Sequence, residues 1–386
     1  MIQHPLYSKI LDYLQKKIES GEYAVGDRLP TERELADQFG VSRITTKKAL
    51  ELLTLRGYIS RKPGRGTFVI RSSGEPLPQV DAGDVKLVQE APLRLVGLVV
   101  PEMSETFGLE LISSIERTAY QHDILLAICR SYGRQQDEER AMQRLLKLGV
   151  EGLIIFPVNG EIYNQEILRL SFEQFPMVLI DKYLPGIPVP AVATDNKTAS
   201  YNLTMHLLEL GHQRVAFFSP VIKGTVTLEG RFEGFVAAMQ QFGLPMLPEC
   251  ILTNMQSDEP IVDDTKFDPE RLETIHDYLM QHEDVTGIVA TEFQVAAHVY
   301  QVAKSLGKRV PEDLSIACFD GPRVDVNGWH FTHIRQDEST IGQQAVNRLI
   351  TRIDQQENAS SEVEQFPARL VLGQSTTPPP ANDKPL

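Results

Sequence analysis

The stretch from Leu29 to Leu50, LPTERELADQFGVSRITTKKAL, constrains this chain more than any other. It predicts two short helices joined by a tight turn. Thr31 is an N-cap residue and Glu34 follows in the N3 position, so the pair can form a capping box. Leu35 and Phe39 share one face of the first helix. Gly40 supplies the left-handed residue that ends it. Ser42 is placed to cap the second helix, whose Ala49, Leu52 and Leu53 form an apolar stripe. Arg43, Thr45, Thr46 and Lys47 crowd its first turns. A helix dipole disfavours cations at an N-terminus, so their presence there fits a polyanion held against that end. A helix-turn-helix presents this end of its second helix to base edges in the major groove. Spacing alone leaves a DNA-binding unit and a purely structural one equally open. Further on, Tyr58-Ile59 and Thr67-Phe68-Val69 flank a basic turn rich in glycine and proline, RKPGRG. That pattern reads as a hairpin, and beside the helix pair it reads as a wing.

With Tyr7 and Ile10 in a first amphipathic helix, residues from about 4 to 70 resemble the winged-helix domain of the GntR family of bacterial transcription regulators. The matching text is G.RLPTERELADQFGVSR.T..KAL..L...GYI....GRGTFV. The resemblance implies DNA contacts at Arg33, Arg43, Thr45 and Lys47 and at the wing tip, Gly64, Arg65 and Gly66. Ser42 and Thr46 complete the expected DNA-facing set. Lys47 stands where an arginine is common in the family. A lysine is a point charge rather than a planar fork, which favours a phosphate contact over a base contact.

The net charge of −14 over 386 residues is at odds with a polyanion partner until its distribution is read. Residues 1–71 hold 13 Lys and Arg against 8 Asp and Glu, a net of +5, which leaves −19 for the remainder. The split argues for separate partners at the two ends. No apolar run is long enough to span a membrane, and the N-terminus lacks a signal-peptide core, so a cytoplasmic protein without membrane contact is expected. Cys129, Cys250 and Cys318 form neither a disulfide framework nor a metal motif and are expected as buried free thiols. Ile10, Leu11, Leu14 and Ile18 recur at helical spacing before Gly21. Residues 1–71 are therefore read as one domain, and 72–92, aperiodic and rich in proline and glycine, as a linker.

From Leu93 the pattern alternates apolar strands with amphipathic helices and then repeats. This predicts an α/β body, residues 93–377, of two lobes with parallel sheets and a ligand at the carboxyl ends of the strands. Residues 378–386 are expected to be a disordered tail. The stretches LVGLVVPEMSETFGLELISSIERTAYQHDILLAIC, ATDNKTASYNLTMHLLELGHQRVAFF, GRFEGFVAAM and LGKRVPEDLSIACFDG resemble the effector domain of the LacI/GalR repressors, which is similar to periplasmic sugar-binding proteins. A GntR-type head on such a sensor resembles the arabinose-repressor family. That resemblance implies a repressor whose operator affinity is lowered by a small sugar, L-arabinose, with no cofactor.

Sugar hydroxyls want carboxylate acceptors, Arg or amide donors and an aromatic face. Asp181, Glu292 and Asp320 stand at or just past strand ends, and Arg231 lies within GRFEGF. The resemblance places Arg231, Glu292 and Asp320 at sugar-contacting positions, with Glu292 replacing the usual Asn or Asp. Glu102, Phe107 and Tyr183 on loops are expected to line the same pocket. Asp195 is expected to cap a helix. Lys182 reads equally as a solvated loop lysine. His330 and His333 are expected at the surface. Acids in a sugar cleft also raise glycoside hydrolysis, yet no G-x-S-x-G, P-loop, H-E-x-x-H or G-x-G-x-x-G motif accompanies them. A cytoplasmic sugar-binding protein or a glycoside-acting enzyme is the alternative. Two-fold operators suit a homodimer, with helix 198–210 as a candidate surface.

Overall fold

The computed structural model describes residues 6–55, 57–62, 66–70, 94–101, 103–160, 163–253, 255, 268–322, 328–355 and 362–380. Glu102, Gly64, Arg65, residues 72–92 and residues 381–386 lie outside them. The chain divides into two compact units, Met1–Ala91 and Pro92–Leu386.

The first unit holds helices α1 (Leu6–Glu19), α2 (Glu32–Phe39) and α3 (Arg43–Leu55) and a hairpin of β1 (Ile59–Lys62) and β2 (Gly66–Val69). Thr31 accepts from the Glu34 N–H, the Glu34 carboxylate accepts from the Thr31 N–H at 2.7 Å, and Gly40 ends α2 at φ 62°. The capping box and the left-handed cap expected from the sequence are both present. Ile10, Leu14, Ile18, Leu35, Ala49, Leu50 and Leu53 close one core with Ile59 and Val69. Burying each large aliphatic side chain contributes about 1.5–3 kcal/mol, so the periodicity of α1 and α3 is what fixes their packing. The hairpin is antiparallel, with Ile59 opposite Val69 and Lys62 opposite Gly66. The segment before α2 extends it, because the Leu29 N–H bonds Thr67 O and the Val69 N–H bonds Asp27 O.

The second unit runs β3 (Arg94–Val100), α4 (Leu109–Gln121), β4 (Ile124–Arg130), α5 (Gln135–Leu148), β5 (Gly152–Ile155), α6 (Gln165–Phe172), β6 (Met177–Ile180) and β7 (Ala191–Thr194). It continues with α7 (Asn196–Glu209), β8 (Val215–Phe218), α8 (Val226–Gln241), β9 (Ile251–Leu252), α9 (Pro269–Gln281), β10 (Gly287–Ala290), α10 (Phe293–Ser305), β11 (Ser315–Phe319) and β12 (Thr332–Arg335). It closes with α11 (Glu338–Gln355), β13 (Val363–Phe366) and β14 (Arg369–Val371).

These strands make two six-stranded sheets, β13-β7-β6-β5-β3-β4 and β14-β12-β11-β10-β8-β9. All pairs are parallel except β12 with β14. The strand orders match position for position, and the lobes repeat one topology except at one edge, where β13 is parallel and β14 antiparallel to its neighbour. Helices cover both faces, which is why the strands read as continuous apolar runs. In the second lobe Phe218, Ile288, Ile316 and Cys318 face α9 and α10. Their neighbours Phe217, Val289, Ala317 and Phe319 face α7 and α8. That is the period of two a strand imposes.

The chain crosses between lobes after β7, after β12 and after β13. The crossings are bonded to each other: Thr194 Oγ1 donates to Gln336 Oε1 at 2.6 Å, and the Asp195 N–H donates to Phe366 O at 2.8 Å.

Several expectations need correction. Cys250 and Cys318 are buried, but Cys129 is only half-buried, because β4 is an edge strand with one face toward solvent. His333 is buried, its Nδ1 on Phe331 O at 2.8 Å, because it sits on β12 rather than in a loop. Helix α7, the expected dimer surface, buries Ala199, Leu203, Leu207 and Leu208 against the sheet and α8 and keeps Thr198, Asn202 and Glu209 exposed on its outer face, so that expectation stands open.

Candidate functional site

In the first unit, α3 turns its N-terminal end outward. Arg43, Lys47 and Lys48 are exposed there, Ser42 is exposed just before them, and Thr45 is half-buried. Arg33 is exposed on α2. Ser42 Oγ lies 2.9 Å from Thr45 Oγ1 and accepts weakly from its N–H at 3.4 Å. Thr46 departs from expectation. It is fully buried, and its hydroxyl is shared between Glu32 O at 3.1 Å and Arg43 O at 2.9 Å. Its position on the helix turns it toward α2, so it sets the angle between the two helices and is not available to a partner. Gly66 has φ +117°, and a Cβ there would meet Arg28 Nε at 2.7 Å. The exposed Arg28 guanidinium therefore lies against the base of the wing. Sequence reasoning missed it because Arg28 falls in an irregular segment whose pairing to the hairpin is visible only in three dimensions.

In the second unit, a cleft of ≈ 240 Å³ opens where the carboxyl ends of the two sheets meet. It gathers Phe107, Asp181, Arg231, Glu292 and Asp320. Tyr183 does not line it but faces adjoining pockets beside it. The two aspartates are structural counterparts. Asp181 follows β6 and Asp320 follows β11, the same position in each sheet order. Both have φ 64°. Each N–H bonds the neighbouring strand at 2.9 Å, to Val192 O and to Ile334 O. Aspartate is among the few residues that tolerate this left-handed backbone, and the kink lifts each carboxylate off its strand end into the cleft.

Arg231, buried on α8, connects them electrostatically. Its Nε donates to Asn196 Oδ1 at 2.7 Å and Nη1 to Thr291 O at 2.6 Å, while the guanidinium lies 3.9 Å from the Phe319 ring centroid. Those contacts hold the plane fixed and leave its remaining donors to the cleft. Burial pushes Asp320 up to about 7, against the pull of Arg231 and of Gln336, whose Nε2 donates to Asp320 Oδ1 at 2.9 Å. Burial raises Asp181 as well, opposed by Lys182 and Arg231. Burial lowers Lys182. Asp195 accepts from the Thr198 N–H and caps α7, as expected.

A family model of the bacterial regulatory proteins, gntR family, matches residues 6–69, and one of the periplasmic binding protein-like domain matches residues 204–376. The chain joins a GntR-type DNA-binding domain to a periplasmic-binding-protein-like body. It is 28% identical over 359 residues to the arabinose metabolism transcriptional repressor of Geobacillus stearothermophilus, spanning 91% of this chain and 92% of that protein. It is 26% identical over 381 residues to the arabinose metabolism transcriptional repressor of Halalkalibacterium halodurans, spanning 96% of each. Among solved structures, a LacI family transcriptional regulator from Enterococcus faecium with bound ribose aligns at TM-score 0.60 and 25% identity, over 74% of this chain and 99% of that one. These relatives are transcription regulators, not enzymes.

The periplasmic-binding-protein-like body also brings Phe156, Lys182 and Gln336 into the cleft, to which the sequence did not assign them. Phe156 packs edge-on to Phe107, ring centroids 6.3 Å apart. Lys182 is no solvated loop lysine: Nζ donates to Pro157 O at 3.2 Å and to Asn159 Oδ1, and lies 4.8 Å from the Phe156 ring centroid. Gln336 bonds both Thr194 at the first crossing and Asp320 in the cleft. Its sequence neighbourhood, HIRQDEST, carries no periodic signal, and the residue becomes visible only once the crossings are known.

Proposed function

We propose that this chain is a DNA-binding repressor whose affinity for its operator is lowered by a neutral sugar bound in the cleft of the body. L-arabinose is the effector we favour, on the strength of the two repressors it is similar to along most of its length. The observation that carries the reading is the pair of equivalent aspartates aimed into one cleft around a fixed arginine. Ionised carboxylates accept from two hydroxyls at once, Arg231 donates to a ring or hydroxyl oxygen, and Phe107 and Phe156 offer an apolar face. Asp181, Glu292 and Asp320 outnumber Arg231 and Lys182, which disfavours a phosphorylated or acidic sugar.

At the other end, Arg33, Ser42, Arg43, Thr45, Lys47 and Arg28 support phosphate and base contacts to duplex DNA, with Gly66 at the wing. Residues 72–92 act as the linker. Sugar closes the lobes about the bonded crossings, and the closed population holds the two heads of a homodimer at the wrong spacing for the operator. Such a protein works in the cytoplasm, where its DNA is.

The test is calorimetric titration of the full chain with L-arabinose, D-ribose and D-xylose. The reading expects one of them to bind, and binding to fall at least tenfold in Arg231→Ala. Absence of binding by all three pentoses contradicts it.

A further inference from the structure

A second pocket, ≈ 190 Å³, opens beside the cleft and shares Asn159, Lys182 and Thr225 with it as a common wall. Like the cleft, it is built from both lobes, with Tyr163 and Tyr183 from one and Glu229 from the other. We propose that this pocket is a second saccharide subsite, so that the body accepts a neutral two-ring ligand whose second ring sits between Tyr163 and Glu229, and prefers it to the free pentose. The proposal rests on the reading of the cleft as a sugar site.

Three features carry it. The pocket adjoins the cleft, with Asn159, Lys182 and Thr225 lining both, so the two rings of one ligand would lie on either side of these three side chains. Its lining mixes tyrosine, proline and leucine surfaces with amide and carboxylate groups, the combination that takes a sugar ring with one apolar and one polar face. Its charge excludes the other common extension of a small sugar, a phosphate. Glu138 is buried in it, accepting from the Val158 N–H at 2.8 Å and from Asn164 Nδ2 at 2.6 Å, and Glu229 adds a second acid. The cation at the wall, Lys182, is already held by Pro157 O and Asn159. The geometry is also braced for occupancy: Tyr163 Oη donates to Pro185 O at 3.0 Å, which fixes the ring between two loops.

The experiment titrates the full chain with L-arabinose against α-1,5-linked arabinobiose and with D-xylose against xylobiose. It is repeated in Tyr163→Ala, which removes a wall, and Gln135→Trp, which fills the pocket from the first turn of α5. In the wild type the disaccharide of the bound pentose should bind at least tenfold tighter than the pentose. Both variants should cut that advantage to less than threefold and leave the pentose affinity unchanged. A disaccharide that binds no tighter than its pentose in the wild type overturns the subsite while the cleft reading stands. Variants that weaken pentose and disaccharide alike also overturn it. If neither class binds, both readings fall together. Melting curves without sugar identify a variant that does not fold, and the wild-type comparison decides the matter without it.

Discussion

Thr46 and Arg43 share the first turns of α3, yet one is buried beneath the helix and the other exposed on it. The difference makes them separable. Arg43→Ala should cost about 1–3 kcal/mol of specific DNA affinity if the guanidinium reads a base, with little change in melting temperature. Thr46→Val removes the hydroxyl that bridges Glu32 O and Arg43 O and should destabilise the head by about 1–3 kcal/mol, reducing DNA binding only as the fold is lost. Melting curves and anisotropy of a labelled duplex, measured on both full-length variants, distinguish the two roles. Asp320 carries an opposite tension. Its folded pKa of about 7 lies above the unfolded value, so the folded state holds the proton more tightly. The stability this contributes is present at low pH and is lost as pH rises from about 4 to about 7. Asp320→Asn keeps the shape without the buried charge. Its melting temperature should exceed that of the wild type by a margin that widens over that range and then levels, while sugar affinity falls about 10–100-fold, as expected for a lost charged hydrogen bond. A constant margin across pH would mean that Asp320 is not the titrating group.

At the scale of elements, legibility followed local order. The capping box, the glycine stop and the apolar stripes of α1 to α3 depend on residues three or four apart, so the sequence displays them directly. The buried parallel strands were equally plain as unbroken apolar runs. What stayed hidden depends on tertiary neighbours. α11 and β13 follow the crossings, where the chain returns to a lobe it had left, and nothing local announces that return. The GRFEGF motif displays Arg231, yet its glycines serve packing: a Cβ on Gly234 would lie 2.2 Å from Lys197 O, so α7 and α8 meet backbone to backbone. The edge strand β4 is a second candidate for the dimer surface, with Leu125 and Ile128 about half exposed beside Tyr120 on α4. Exposed apolar edges invite pairing. Ile128→Glu should shift the full chain from dimer to monomer by sedimentation velocity without lowering its melting temperature. A variant still dimeric would place the interface elsewhere, and a wild-type monomer would contradict the homodimer.

For the whole molecule, the charge division and the cleft describe one device. A basic head of net +5 and an acidic body of net −19 keep a polyanion at one end and away from the other. Coupling between them is a free energy of linkage and must run both ways: a sugar that weakens DNA binding must itself bind less tightly to the DNA-bound protein. Moving an operator from mostly occupied to mostly free needs a large ratio of affinities for the two states, on the order of 10⁴ for a full reversal. The bonded crossings at Thr194, Gln336 and Phe366, one of which touches Asp320 directly, are where such a preference can be stored. The measurement that tests this most directly is the affinity of the full chain for a duplex it has itself selected from a random library, followed by anisotropy as L-arabinose is added. The account predicts at least a tenfold loss of DNA affinity in the wild type, and in Asp320→Asn the same loss only at arabinose concentrations about 10–100-fold higher. An operator affinity that stays constant through saturating arabinose, ribose and xylose would contradict it.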